Sequence, residues 1–257
     1  MYMKIKKAWM AIALSSALGF TGIATTCLPS PVAHAASTLK NPGKKQFGKN
    51  FGKNKIEAET WGDATFSTWI NGLTPDEKTN IKSYAGSGYQ DINEYLLQTK
   101  GVLSTNKKLN TKIQTLDQAL DKAVVPEDIT VYRRVTDMQF GINTDIESPL
   151  RAPGQKQIDR AVLRKIEGQF YGKEFLQEGY MSTSLSQDPH ASFSKLPILL
   201  AISVPAGTKA GFIDTLSGYS QVELLLKRGY KFLYNGFDIE EDDNGTEYMV
   251  VDVMLVG

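Results

Sequence analysis

"GYSQVELLLKRGYKFL", residues 218–233, poses the question whose answer decides the fold. A run of leucines, Leu224 to Leu226, follows an amide, Gln221, and a carboxylate, Glu223, set two positions apart. Read as a β-strand over 221–226, the spacing puts Gln221 and Glu223 on one face, about 7 Å apart. The plain reading is a half-buried strand with a polar outer face. The chemical reading is a pair of functional groups at the rim of a cleft. Both require a carboxy-terminal half built from strands.

The rest of the chain agrees. Short strand-like runs are predicted near 129–135, 181–184, 198–204, 211–214, 230–239 and 247–255. Upstream the periodicity is helical. Trp61, Phe66, Trp69 and Ile70 mark a helix ending near Gly72, and Thr74-Pro75-Asp76-Glu77 reads as a capping box that starts another toward Tyr84. Further helices are predicted over about 89–98, 109–122 and 155–170. Helices first and strands later imply an α+β fold rather than a doubly wound sheet. "AGSGYQD", residues 85–91, begins a GxGxx pattern, but Asp91 stands where the third glycine belongs and the flank is helical. It therefore reads as a helix–helix turn and not as a dinucleotide fingerprint.

Composition narrows the chemistry. Residues 1–35 read as a secretion signal: Lys4, Lys6 and Lys7, an apolar run from Trp9 to Ala24, and Ala33-His34-Ala35 as a cleavage site. The run is too short and too interrupted by Gly and Ser for a stable membrane span. Removing the signal turns a formal charge of +1 into −2, with 26 basic side chains against 28 acidic, and takes away the only cysteine. One histidine, His190, remains. No disulfide, thiol nucleophile or Cys/His metal site is expected, and no nucleophile elbow accompanies His190 to support a hydrolase. Near-neutral charge argues against nucleic acid as a partner. Residues 36–56, rich in Lys, Gly and Asn with a repeated FGKN, are expected to form a mobile basic arm, as a spacer or an attachment to anionic surfaces. Residues 57–257 suffice for one domain with a sizeable core.

Three polar islands interrupt the predicted strands. "TVYRRV", 130–135, carries Arg133 and Arg134, which face opposite sides, so at most one enters a common site. "GYMSTSLS", 179–186, carries Ser182, Thr183 and Ser184. The third is the Gln221/Glu223 pair. Each alone fits an ordinary sheet surface.

In that order, an arginine strand, a Ser-Thr-Ser strand and Gln-x-Glu resemble the signature of bacterial mono-ADP-ribosyltransferase toxins. Residues 58–96, "AETWGDATFSTWINGLTPDEKTNIKSYAGSGYQDINEYL", resemble their helical lobe. "TVYRRVTDMQFG" is similar to the arginine strand of iota-type and vegetative insecticidal actin-modifying toxins, and "AGTKAGFIDTLSGYSQVELLL", 206–226, to the botulinum-type Rho-inactivating exoenzymes. The resemblance implies an ADP-ribosyltransferase fold: two roughly perpendicular β-sheets, an N-terminal helical lobe and NAD in the cleft between. It also implies a secreted, monomeric, metal-free toxin that acts in the host cytosol and has NAD glycohydrolase side activity.

By the same resemblance, Glu223 stabilises the cationic sugar carbon and bonds the ribose hydroxyls, Ser182 holds Glu223, and Arg133 meets the phosphate region. Asn93 and Thr183 join the cofactor contacts. Gln221, an amide that donates and accepts hydrogen bonds but takes no proton at neutral pH, recognises the acceptor together with Tyr219. Gln-x-Glu implies an asparagine of a Rho-family GTPase as acceptor, with an actin arginine as the alternative. Leu97 and Leu196 depart from the family by standing at arginine positions, the second with Lys195 beside it. The turn between Tyr219 and Gln221 is one residue shorter than the botulinum type. These departures sustain a competing reading, a catalytically weak module that grips a host protein.

Overall fold

Capping chemistry starts the helical half. Asn54 accepts a hydrogen bond from the backbone of Glu57 at 3.2 Å and donates to its carboxylate at 2.9 Å, opening α1 (Lys55–Gly72). Thr74 and Glu77 form the reciprocal pair foreseen in the sequence and open α2 (Pro75–Ser83). α3 (Tyr89–Gln98) and α4 (Lys107–Asp121) complete this lobe. The residues described in this computed structural model are 47–140, 150–188 and 195–257; the expected signal at 1–35, residues 36–46 of the expected arm and His190 lie outside them.

The helix–helix turn read at 85–91 is not a turn. Tyr84–Gly88 form a π-helical stretch that joins α2 to α3 without leaving right-handed geometry. Gly88 permits this: a Cβ there would stand 2.8 Å from the carbonyl oxygen of Ser83. Such π-bulges concentrate at functional sites.

The strands are β1 (Ile129–Val135), β2 (Glu174–Leu176), β3 (Met181–Ser184), β4 (Ile198–Val204), β5 (Ala210–Phe212), β6 (Glu223–Leu226), β7 (Lys231–Glu241) and β8 (Glu247–Val256). They form one mixed ladder in the order β2-β7-β8-β4-β1-β3-β6-β5, with β4 and β8 parallel and the other pairs antiparallel. The α+β expectation holds. The two expected sheets are two halves of this ladder: β1 pairs with β4 over seven residues but with β3 through the single pair Tyr132↔Ser184. α5 (Arg160–Phe170) packs on β7 of the larger half, while α1 and α4 lie on β5 of the smaller. Gly211 makes that approach possible, since any Cβ would collide with the ring of Trp69.

Residues 47–54, expected to be part of a mobile arm, pack against the domain. Lys49 pairs with Ile129, Thr130 donates its backbone N–H to Lys49, and Phe51 is buried against Trp61 with ring centroids 5.5 Å apart. The two phenylalanines of the FGKN repeat differ in fate: Phe51 supplies the apolar anchor, while the carbonyl of Phe47 accepts from the hydroxyl of Thr130. Residues 47–54 therefore belong to the folded body.

Glu77 ties two helices together. Beyond its capping bonds, its buried carboxylate meets Lys122 at 2.6 Å just past the end of α4. Burial opposes its charge, but Lys122 and the Thr74 backbone outweigh it and hold its pKa below the usual range. Glu77→Ala removes the cap and strands Lys122, so it is expected to lower stability by about 1–2 kcal/mol in urea unfolding. Because the folded state depresses this pKa, the difference from wild type shrinks as pH falls into the carboxylate range.

Candidate active site

The entry to β3 is pinned by the helical lobe. Asn93 on α3 accepts the backbone N–H of Tyr180 at 3.1 Å, and its amide donates both to the Tyr180 carbonyl and to the hydroxyl of Tyr84. Tyr180 in turn donates its hydroxyl to the Ile113 carbonyl and to Asp117 on α4. Arg228, just past β6, grips Asp117 through Nε and Nη2. The strand bearing the three hydroxyls is thus fixed on both sides before any ligand arrives. Asn93, expected at the cofactor, is engaged through both oxygen and nitrogen in this holding work.

Alternation then divides the Ser-Thr-Ser strand. Thr183, also expected at the cofactor, points the other way. It is buried, and its hydroxyl is spent on the Leu224 carbonyl at 2.7 Å. Ser182 is half-buried, and its carbonyl accepts Nη1 of Arg133 at 2.6 Å. Ser184 donates its hydroxyl to the carbonyl of Gln221 at 3.0 Å, a link that the sequence reading did not anticipate.

The Gln221/Glu223 pair is not the simple strand the spacing suggested. β6 begins only at Glu223, and the segment 214–217, read partly as strand, is a short helix, α6 (Asp214–Ser217). Between them Gly218, Ser220 and Val222 all have positive φ, at 71°, 51° and 54°. Left-handed backbone at a buried β-branched residue such as Val222 is strained, by about 1–3 kcal/mol. Asp214, 6% exposed, stabilises this turn: its Oδ1 accepts the backbone N–H of Gln221 at 2.7 Å and that of Glu223 at 3.3 Å. Tyr219 stands 51% exposed at the tip.

Glu223 is 1% exposed, and its Oε1 has no hydrogen-bond partner; neither has the buried Oε1 of Gln221. Burial pushes the Glu223 pKa up to about 8, with Asp214 adding to the rise and the Ser182 hydroxyl and Arg133 opposing it. Arg133 is itself depressed by burial and favoured by Tyr84, Glu223 and Tyr89. Burial likewise raises the Tyr84 hydroxyl. Tyr84 and Tyr89, named in the sequence only as helix boundaries, therefore belong to the same polar cluster.

Arg134 faces elsewhere, as strand geometry required. Its side chain, 4% exposed, lies 4.1 Å over the Tyr248 ring and reaches Asp188 at 3.4 Å, while its Nε and Nη1 have no partner. Arg151 grips the carbonyls of Glu247 and Lys195, beside Leu196. Burial, then the nearby Arg134 charge, depresses its pKa. Among the described residues no group of His, Cys, Asp and Glu could hold a metal ion, and no helix is long and apolar enough to cross a membrane.

The model of a family described as ADP-ribosyltransferase exoenzyme matches residues 58–256. A mono-ADP-ribosyltransferase C3 from Clostridium botulinum D phage is 27% identical over 253 residues, covering 98% of this chain and 96% of the relative. Among solved structures, Plx2a, an ADP-ribosyltransferase toxin from Paenibacillus larvae, superposes with a TM-score of 0.72 at 30% identity, covering 81% of this chain and 99% of its own. BECa, an ADP-ribosylating toxin of a binary enterotoxin of C. perfringens solved with NADH, gives 0.70 at 28% identity, over 82% of this chain and half of its own.

Because folding raises the Glu223 pKa from about 4.5 to about 8, the folded state holds this proton more tightly than the unfolded state. Its contribution to stability therefore falls as pH rises across that interval. Glu223→Gln is expected to raise the melting temperature at pH 8 and to leave it nearly unchanged at pH 4.5, read by calorimetry on both proteins.

Proposed function

This chain belongs to the family of ADP-ribosyltransferase exoenzymes, which transfer ADP-ribose from NAD, and on that premise we propose that its acceptor is an asparagine of a Rho-family GTPase. The observation that carries the reading is the buried carboxyl of Glu223, one oxygen unpartnered, at the end of the rigid turn that presents Gln221. A dry acceptor of this kind suits the ribose of NAD, whose hydroxyls donate hydrogen bonds and whose anomeric carbon turns cationic as nicotinamide leaves. NAD supplies the glycosidic bond that breaks; the protein supplies a preorganised field, an effect worth several kcal/mol.

Each residue then has a task. Ser182 orients Glu223 and favours its charged form. Arg133 fixes the Ser182 strand and lends positive charge near the cofactor. A cationic nicotinamide ring beside the carboxyl draws its pKa down, so NAD itself helps ionise Glu223. At the usual arginine positions Leu97 and Leu196 donate nothing, so phosphate binding leans on Arg133 and on nearby lysines such as the exposed Lys195. Asn93 and Thr183 act at one remove, through the strands they hold.

The unpartnered Oε1 of Gln221 fits a donor of the acceptor side chain, and a neutral asparagine amide offers one without needing a base. The exposed Tyr219 adds an aromatic contact with the acceptor protein. Export, action in the host cytosol and NAD glycohydrolysis without an acceptor belong to the same reading.

Nicotinamide release from NAD tests the enzyme: Glu223→Ala is expected to slow it by about 100-fold or more. Equal rates in wild type and variant overturn the assignment. Gln221→Ala should keep NAD hydrolysis and lose protein transfer. Mass spectrometry of a host lysate treated with protein and NAD should find the modification on a GTPase asparagine; an actin arginine would refute that acceptor.

A further inference from the structure

Asp214 is the buried acid that the mechanism above leaves without a task. It opens α6, yet its Oδ1 turns back to the loop that follows and accepts two backbone N–H groups, those of Gln221 and Glu223. Those two residues are the ones assigned to different substrates, the acceptor protein and NAD. Between them lies Val222, left-handed and buried, whose carbonyl accepts from the backbone of Leu185 at 3.1 Å. Lys55 holds the Ser220 carbonyl at 2.6 Å and Ser184 the Gln221 carbonyl at 3.0 Å. The Ile213 N–H, beside Asp214, donates to the Glu223 carbonyl at 2.9 Å.

We propose that Asp214 is a positioning residue that locks the acceptor-facing amide of Gln221 and the NAD-facing carboxyl of Glu223 into one rigid unit, so that the two substrates meet in fixed register. A turn with three left-handed residues relaxes unless it is held at several points. Oδ1 bonds the backbone of both functional residues at once. Its bond to Gln221 is the shorter, so its loss releases the acceptor side more than the NAD side. Misplacement of a reacting partner by about 1 Å costs on the order of 100-fold, which transfer to protein feels and hydrolysis by water largely escapes.

Asp214 also acts by charge. Glu223 is faced by Asp214 from α6, by Arg133 from β1, by Ser182 from β3 and by Tyr84 from the π-helical stretch, and among these Asp214 is the acid. Replacing it with an amide keeps an oxygen acceptor and removes the charge.

The inference rests on the function proposed above, and the experiment separates the two. Wild type and Glu223→Ala come first: if both release nicotinamide equally, the enzyme assignment fails. Amide hydrogen exchange at Gln221 and Glu223 then reads the clamp without any activity. Both amides are expected to be protected in wild type and Asp214→Asn and to exchange faster in Asp214→Ala; equal protection in all three refutes the clamp. With activity present, Asp214→Asn should retain transfer and move the acid limb of the nicotinamide-release profile down by about half a pH unit or more. Asp214→Ala should lower the ratio of protein transfer to hydrolysis by about tenfold or more. An unmoved acid limb in the Asn variant, or an Ala variant losing both activities in constant ratio, overturns the proposal. If the Ala variant does not fold, Asp214→Glu, which keeps the charge but displaces the acceptor oxygen, replaces it in the exchange and ratio measurements, with the same expected and refuting outcomes.

Discussion

A guanidinium reaching across the narrowest point of the sheet holds the site in register. β1 and β3 share one ladder pair, so strand hydrogen bonds join the two halves weakly there. Arg133 reinforces the junction by donating Nη1 to the Ser182 carbonyl at 2.6 Å. Charge-assisted bonds of this kind are about twice as strong as neutral ones. The junction needs that strength because burial works against the charge, as the lowered Arg133 pKa records. Glu223, Tyr84 and Tyr89 offset part of the cost. The group that closes the sheet is therefore electrically part of the cluster it supports.

The other polar side chains divide along the same logic. Ser182, Thr183 and Ser184 are chemically near-equivalent, yet each has a different destination: beside Glu223, the Leu224 carbonyl, and the Gln221 carbonyl. Two of the three serve backbone, which leaves one hydroxyl near the Glu223 carboxyl. The unsatisfied oxygens of Gln221 and Glu223 are the places where this polar core stops being self-sufficient. Buried acceptors without donors are costly, and a substrate rich in donors removes that cost.

Much of this was legible in the residues. The capping box at Thr74, the strand at 129–135 and the helix at 89–98 depend on local signals, and they lie where those signals put them. The arginine strand, the Ser-Thr-Ser strand and Gln-x-Glu, taken with the helical lobe, were enough to point to the family. What the pattern could not carry was backbone handedness: nothing about a valine announces a positive φ, so Gln221-Val222-Glu223 looked like alternation. The D-T-L-S-G run at 214–218 did hold a helix signal, with glycine in the left-handed capping position. Four residues were too few for periodicity to register it. Composition misjudged residues 47–54 for a similar reason, since one buried phenylalanine and a few backbone bonds to β1 outweigh their Lys, Gly and Asn content.

The position of β8 bears on how the chain comes to be folded at all. Residues 247–256 are the last strand in sequence, yet they lie inside the ladder, parallel to β4 on one side and antiparallel to β7 on the other. A nascent polypeptide that has not yet exposed Glu247–Val256 has no strand to bridge β4 and β7. Its larger half-sheet stays open while β1 and β4 wait with an unfilled edge. Such long-range pairing is slow and comes late in assembly. The larger half-sheet therefore closes only once Glu247–Val256 is available, and until then the polypeptide upstream of it stays threadable.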